Sequence, residues 1–258
     1  MIGKRRKMLI ELLEREPEMS VQELSDRLGV SEATVRRDLS TLSQQGLIER
    51  LRGGATISHP LGVEPSWIER HRENVEKKRA IARMAAGMVE DGQVVALDVG
   101  TTTLEIARGL QLRTGLLVFT ASLPAADVLS KGRPTVYVVG GRMRPGEMSL
   151  VGPLTRDIIQ RFHYDVFFLA AAGWSVEQGL MDYSIDDVEI KQAFMAASSS
   201  VIAVVDSVKY GKTSLTTIAS LTDVDAVITD DQLPDAVQEQ VSQLTTLHVA
   251  PVALEKGV

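Results

Sequence analysis

Along the N-terminal stretch, apolar residues recur at helical spacing and are separated by caps and breakers. Met8, Leu9, Ile10, Leu12 and Leu13 predict a helix from about Lys4 to Glu16, which Pro17 ends. Ser20 followed by Glu23 is a capping box, opening a short helix with Val21, Leu24 and Leu28 inward and Gly29 at its close. Ser31 caps a third helix with a Val35, Leu39, Leu42 stripe, and Gly46 ends it. Residues 47–51 then alternate like a strand, and Arg52-Gly53-Gly54 turns the chain into Ala55-Thr56-Ile57.

The pattern changes further on. Residues 58–76 carry two prolines and a glycine with little periodicity, so they predict a connector. A helical stripe of Ile81, Ala82, Met84, Ala85 and Met88 follows. Short apolar runs then appear at 94–97, 116–119, 135–139, 166–169, 201–205 and 224–228, mostly with helical stretches between them. Such runs suit strands buried on both faces of a mainly parallel sheet. The expected fold is α/β: a winged helix-turn-helix over 1–57, a linker over 58–76, and a second domain over 77–258 for effector binding and oligomerisation.

The first domain has its own chemistry. With Val35, Leu39 and Leu42 buried, Thr34, Arg36 and Arg37 face outward from the recognition helix that Ser31 opens. The N-terminal part of such a helix enters the DNA major groove, where arginine forks onto guanine or holds phosphate. Arg50, Arg52 and Gly53 belong to the wing beside it. Charge supports this division. Residues 1–57 hold 10 Lys+Arg against 9 Asp+Glu, a net of +1; the rest holds 18 against 25, a net of −7.

In the second domain, ligands are expected at the carboxyl ends of the strands. There lie Asp98, Gly100, Thr101, Thr102 and Thr103, then Thr120 and Ser122, then Gly140 and Gly141, then Gly173, then Asp206 and Lys209; Asp187 and Lys191 sit on a helical stretch upstream. Hydroxyls, glycines and lysines along one sheet edge suit a phosphorylated polyol, since small residues at a helix N-terminus offer backbone N–H groups to an anion. No nucleotide-binding motif competes, the four histidines lack metal spacing, and there is no cysteine. Neither a cofactor, a metal nor a catalytic residue is expected. No apolar run reaches the roughly 18 residues of a membrane span, so a cytoplasmic protein is expected.

Two resemblances extend this reading. "SVQELSDRLGVSEATVRRDLSTLSQQGLIERLRGGA" resembles the DNA-binding domain of the DeoR family of bacterial transcription regulators, chiefly in Arg36-Arg37-Asp38-Leu39 and the closing Arg-Gly-Gly-Ala. Glu64, Arg70 and Lys77-Lys78 resemble the family's junction. From about residue 75 to 252 the chain resembles the family's effector domain, in Asp98-Val-Gly-Thr-Thr102, Gly140-Gly141, Asp206-Ser-Val-Lys209-Tyr-Gly211 and Ile228-Thr-Asp230. The resemblance implies a fold like that of ribose-5-phosphate isomerase, glucosamine-6-phosphate deaminase and CoA transferases. It also implies operator binding, most often as a repressor, under control of a phosphorylated sugar. This chain departs from the family at Ala121, where an asparagine is usual, and at Asp187, where a glutamate is usual; Trp174 is a bulky addition after Gly173. A homodimer or homotetramer is expected, each head reading one half-site. The alternative is a phosphosugar isomerase or deaminase with a helical extension, in which Asp98, Asp187, Glu189 or Asp206 supplies the base.

Overall fold

The computed structural model describes residues 4–16, 18–44, 48–51, 53–57 and 64–252. The readings made for Pro17, Gly46, Leu47 and Arg52 lie outside the described residues. Contacts divide the chain into two compact units, Met1–Glu64 and Pro65–Val258.

The first unit runs α1 (Lys4–Arg15), β1 (Glu18–Ser20), α2 (Val21–Leu28), α3 (Glu32–Gln44), β2 (Ile48–Leu51) and β3 (Gly54–Ile57). The expected caps are present. The Glu23 amide donates to Ser20 Oγ at 3.1 Å, and the Ser20 amide donates to the Glu23 carboxylate at 2.8 Å. Gly29 ends α2 in the left-handed conformation. The Thr34 amide donates to Ser31 Oγ at 3.3 Å at the start of α3. Leu9, Leu13, Val21, Leu24, Val35, Leu39 and Leu42 close one small apolar core with Met19, Ile48 and Ala55. Strand β1 was not anticipated. Its three residues pair antiparallel with β3, giving the order β1-β3-β2, and the Val21 amide donates to the Gly53 carbonyl at 2.8 Å.

The second unit opens with a correction. Within the stretch read as a connector lies a helix, α4 (Trp67–Arg72), and α5 (Val75–Gly87) begins before that stretch ends. Ser66 and Glu69 form a second capping box, with the Ser66 amide 2.8 Å from the Glu69 carboxylate. The prolines and glycine around it hid that signal.

There follow β4 (Val94–Leu97), α6 (Thr101–Leu110), β5 (Leu117–Thr120), α7 (Leu123–Ser130), β6 (Thr135–Val138) and the hairpin β7 (Arg142–Arg144) and β8 (Ser149–Val151). Next come α8 (Pro153–Ile159), β9 (Val166–Ala170), β10 (Gly173–Ser175), β11 (Gly179–Asp182) and α9 (Ile185–Ala196). The chain continues through β12 (Val201–Val204), β13 (Thr216–Ala219), β14 (Ala226–Asp230), α10 (Asp235–Ser242) and β15 (Thr246–Ala250). A seven-stranded parallel sheet has the order β15-β14-β12-β9-β4-β5-β6. Both of its faces are covered. Along β9, Phe167 and Leu169 join one core with Trp174 and Phe194, while Val166 and Phe168 join another with Ile81 and Leu104. A smaller antiparallel sheet, β10-β11-β13, follows from the loops after the parallel strands. Because β4, β9 and β12 are neighbours and parallel, the residues after Leu97, Ala170 and Val204 emerge together at one edge.

Candidate functional site

Two surfaces carry chemistry. On the first unit, α3 buries Val35, Leu39 and Leu42 and exposes Ser31, Arg36 and Arg37, with Thr34 half-buried. A helix turns about 100° per residue, so Arg37 stands about 200° from Val35, directly opposite the core, whereas Arg36 stands about 100° away at the margin. Arg36 makes an exposed ion pair with Glu32 at 3.2 Å. Arg37 has no side-chain partner among the described residues. Ser31 and Thr34 hydroxyls bond each other at 3.0 Å. Arg50 reaches from β2 to Ser40 Oγ at 3.1 Å, fastening the wing to α3, and Gly53 lies exposed at the wing's tip.

Asp38 adds a contact that the sequence did not reveal. Its carboxylate, only 2% exposed, receives Arg5 at 2.5 Å and Arg6 at 2.9 Å. Two cations of the basic N-terminal run therefore hold α1 to α3. Hydrogen bonding from Arg5, opposed by burial and reinforced by Arg6, keeps the Asp38 carboxyl below its ordinary value. A depressed folded-state pKa stabilises fully above the unfolded value, about pH 4, and its contribution is lost as the pH falls below that. Asp38→Asn is therefore expected to flatten the acid limb of the first unit's melting curve, followed by circular dichroism from pH 7 to 3. An unchanged limb would remove this ion triad from the account.

On the second unit, the residues expected at the strand ends separate into groups. Asp98, Lys191 and Asp182 form a buried ionic knot. Lys191 donates to the Asp98 carboxylate and to the Ala170 carbonyl (3.1 Å), with Asp182 at 3.3 Å; the Ala170 and Val99 amides donate to Asp98. Burial alone would lower Lys191, but the carboxylates of Asp98, Asp182 and Asp187 hold it above its ordinary value. Asp187, one turn earlier on α9, is engaged by Arg144 at 2.7 Å and by Ser149 Oγ at 3.1 Å. These groups satisfy one another.

Several hydroxyls and glycines are likewise occupied by the fold. Thr120 donates to the Leu97 carbonyl, Thr103 to the Gly100 carbonyl, and Ser122 caps α7. Gly140 and Gly141 follow β6 at the sheet's edge, three strands from β9. A Cβ on Gly141 would fall 1.8 Å from Thr155 Oγ1, and one on Gly173 would fall 2.1 Å from the Lys212 carbonyl oxygen. Close packing explains both glycines.

What remains converges after β4, β9 and β12. Gly100 is the N-cap of α6. Thr101 donates to the Arg70 carbonyl, while the Thr102 hydroxyl is buried without a partner among the described residues. Lys209 donates to the Ala171 carbonyl at 2.7 Å. Asp206 is fully buried, and neither carboxylate oxygen has a hydrogen-bond partner among the described residues. Its backbone carbonyl accepts the indole N–H of the buried Trp174 at 3.3 Å, so Trp174 positions Asp206.

Three further residues join this cluster. Lys78 of α5 is buried and donates to the carbonyls of Arg70 and Glu73. Arg70 of α4 pairs with Glu147, the buried acid at the tip of the β7–β8 hairpin. Burial first, and then the neighbouring ammonium of Lys209, lower Lys78 to about 8 despite Asp206. Burial also lowers Lys209, with Asp206 opposing and Arg70 assisting. A signal for Lys78 existed in the sequence. It precedes Ile81, Ala82 and Ala85 by three, four and seven residues, placing a lysine on a buried helical stripe. Among the described residues, no group of His, Asp or Glu is arranged to hold a metal ion, and no helix is long and apolar enough to cross a membrane.

Known families match both units. A family model described as the DeoR-like helix-turn-helix domain matches residues 5–60, and one described as the DeoR C terminal sensor domain matches 73–231. The chain is 36% identical to the HTH-type transcriptional regulator GlpR of Haloferax volcanii, over 97% of this chain and 98% of that one. It is 32% identical to the glycerol-3-phosphate regulon repressor of Escherichia coli, over 93% and 94% of the two chains. Among solved structures, ribose 5-phosphate isomerase A of Methanocaldococcus jannaschii matches with a TM-score of 0.40 and 16% identity, over 54% of this chain and 55% of that one.

Proposed function

The chain belongs to the DeoR family of DNA-binding transcriptional regulators, and on that premise we propose that it is a repressor whose hold on operator DNA is set by a phosphorylated sugar or polyol. It is a regulator and not an enzyme, as its relatives are. The α3 face carrying Arg37 and Arg36 reads the major groove, and the Arg50 wing grips the backbone beside it. The chain acts as a cytoplasmic homo-oligomer, with two heads engaging two half-sites.

The effector reading rests on one observation. Lys78, Lys209 and Arg70 gather near the N-terminus of α6, where Thr101 donates to the Arg70 carbonyl. Burial and mutual repulsion disfavour the charges of Lys78 and Lys209, and an added anion would favour them. A phosphate monoester carries about −1.5 to −2 charge near neutrality, and it fits both the ammonium groups and the helix N-terminus. One relative is by its name the repressor of a glycerol-3-phosphate regulon, which favours control by a phosphorylated polyol or sugar.

Coupling follows from where the cations lie. Arg70 and Lys78 belong to the segment directly after the first unit in sequence. An anion that draws on them acts on the stretch of chain joining sensor to head. Operator affinity is expected to change by about 5- to 150-fold with effector, and effector affinity must change by the same factor with operator.

The test uses the full chain and an operator that it selects from random duplex DNA. Binding should weaken steeply with salt as counterions are released. A screen of sugar and polyol phosphates should find a ligand that raises stability by about 2.7 kcal/mol at 100 times its dissociation constant. Operator affinity indifferent to salt and to every such ligand would refute the proposal.

A further inference from the structure

One edge of the large sheet is matched to itself. Strand β6 closes that end of the sheet and pairs with β5 alone among the described strands. The Thr135 amide donates to the Leu116 carbonyl at 3.0 Å, and the Val139 amide to the Thr120 carbonyl at 3.1 Å. Backbone direction alternates along a strand, so Thr135, Tyr137 and Val139 turn their amides and carbonyls toward β5. Val136 and Val138 turn theirs outward, where they meet no partner among the described residues. Monomeric proteins blunt such an edge with lysine, proline or a bulge within it. Thr135-Val136-Tyr137-Val138 contains none of these.

Its flanks limit what can pair there. Pro134 has no amide hydrogen to offer, and the Gly140 carbonyl already accepts Thr155 Oγ1 at 2.7 Å. The free donors and acceptors are those of Val136 and Val138, placed symmetrically about Tyr137. A second copy of the strand, antiparallel and related by a two-fold axis through Tyr137, sets each Val136 against the other copy's Val138. Every one of these amides and carbonyls is then satisfied.

The side chains agree with that axis. Facing residues of an antiparallel pair share a sheet face, so the two Tyr137 rings meet. Tyr137 is 45% exposed although it stacks on Phe119 at 4.5 Å, and Phe162, 43% exposed, lies 4.8 Å from Phe119. Aromatic side chains present on the order of 200 Å² each, so these two leave roughly 180 Å² uncovered per copy. Leu117 on the same face and Val138 on the other are exposed beside them. A standard interface takes about 800 Å² per partner, with its binding energy concentrated in central aromatic residues. The rings supply that centre, and the strand edge surrounds it. The opposite edge of the sheet is built differently: along β15 Thr246 alone is exposed, and His248 stands at the middle.

We infer that the β6 edge is the interface for a second copy of this chain, pairing antiparallel about Tyr137 so that the two seven-stranded sheets run into one. This rests on the homo-oligomer reading above and gives it a surface.

The chain has no cysteine, so one introduced thiol reports on one position. Facing Cα atoms in a pair of this kind lie about 4.5 Å apart, within disulfide range. Full-length Tyr137→Cys, oxidised with diamide, is expected to run mostly as a covalent dimer on a non-reducing gel, while Thr246→Cys on β15 stays a single chain there. Tyr137→Arg sets like charges face to face on the axis. It should halve the mass found for the wild type by sedimentation equilibrium and raise the dissociation constant at least about 30-fold. Tyr137→Phe should leave both unchanged, since only the ring is used. If circular dichroism shows Tyr137→Arg unfolded, the two cysteine variants decide alone. An oligomeric wild type with no crosslink at position 137, or with an equal one at position 246, overturns the assignment and leaves the homo-oligomer reading standing. So does a folded Tyr137→Arg of unchanged mass. A wild type that sediments as a monomer overturns the homo-oligomer reading and this inference together.

Discussion

Lys191→Met is expected to destabilise the second unit by about 3–5 kcal/mol, the usual cost of removing one partner from a buried ion pair. The ammonium is 2% exposed and lies against Asp98, which is equally buried, with Asp182 beside it. Without Lys191, the Asp98 carboxylate keeps its two backbone amides but loses its counter-charge in the middle of the sheet edge. Urea unfolding followed through the buried Trp174 should show the loss as a lower midpoint with an unchanged slope. Adding Asp98→Asn should recover much of it, since a neutral amide needs no cation. A loss below about 1 kcal/mol in the single variant would mean that water reaches the pair. The result bears on function because both residues appeared to be ligand-binding candidates from sequence. Their mutual satisfaction assigns them to the frame on which Asp206 and Lys209 stand.

The second large effect concerns DNA. Arg37→Ala should cost about 1–3 kcal/mol against the preferred operator and relax preference at one base position, the signature of a lost base contact. Arg36→Ala should instead weaken binding to all sequences alike and reduce the salt slope by about one, as expected for a phosphate contact. The assignment follows from geometry: Arg37 is opposite the buried stripe, while Arg36 is at its margin and already paired with Glu32. Selection of preferred sites by each variant from a random pool would separate the two roles. Reversal of the two phenotypes would reverse the assignment.

Much of this fold was legible because its signals are local. Continuous apolar runs such as Val166-Phe167-Phe168-Leu169 mark strands covered on both faces, and the observed strand there extends by one residue, to Ala170. The strand expected at 224–228 lies instead at Ala226–Asp230, because the buried Thr229 still pairs with Val249 of β15 and the strand ends one residue later, on the buried Asp230. It receives the Ser207 amide and hydroxyl and pairs with Lys77. The edge strand β15, Thr-Leu-His-Val-Ala, mixes polar and apolar positions and carries no clear strand signal, nor do the short strands of the β10-β11-β13 sheet.

The site was legible only in part, for a related reason. Sequence marks which residues follow strands, but whether a hydroxyl or carboxylate still has bonds to give depends on what the fold brings beside it. Thr102 and Thr120 look alike in sequence, yet one is unpartnered and the other donates to Leu97. Arg70 and Lys78 come from a helix pair ahead of the first parallel strand, and only packing carries them to its far end.

The apolar core of the first unit has one more consequence. Its described members run from Leu9 to Ala55, all within the first unit. The α1–α3 clamp through Asp38 and the stitch between β1 and β3 are internal to it as well. Such a head is a cassette. On the proposed reading, exchange at the Glu64–Pro65 boundary would carry the operator address to another sensor and leave α4 and α5 behind with the effector site. Changing a few exposed positions on α3 would then redirect the head while leaving Lys78 and Lys209 as they are.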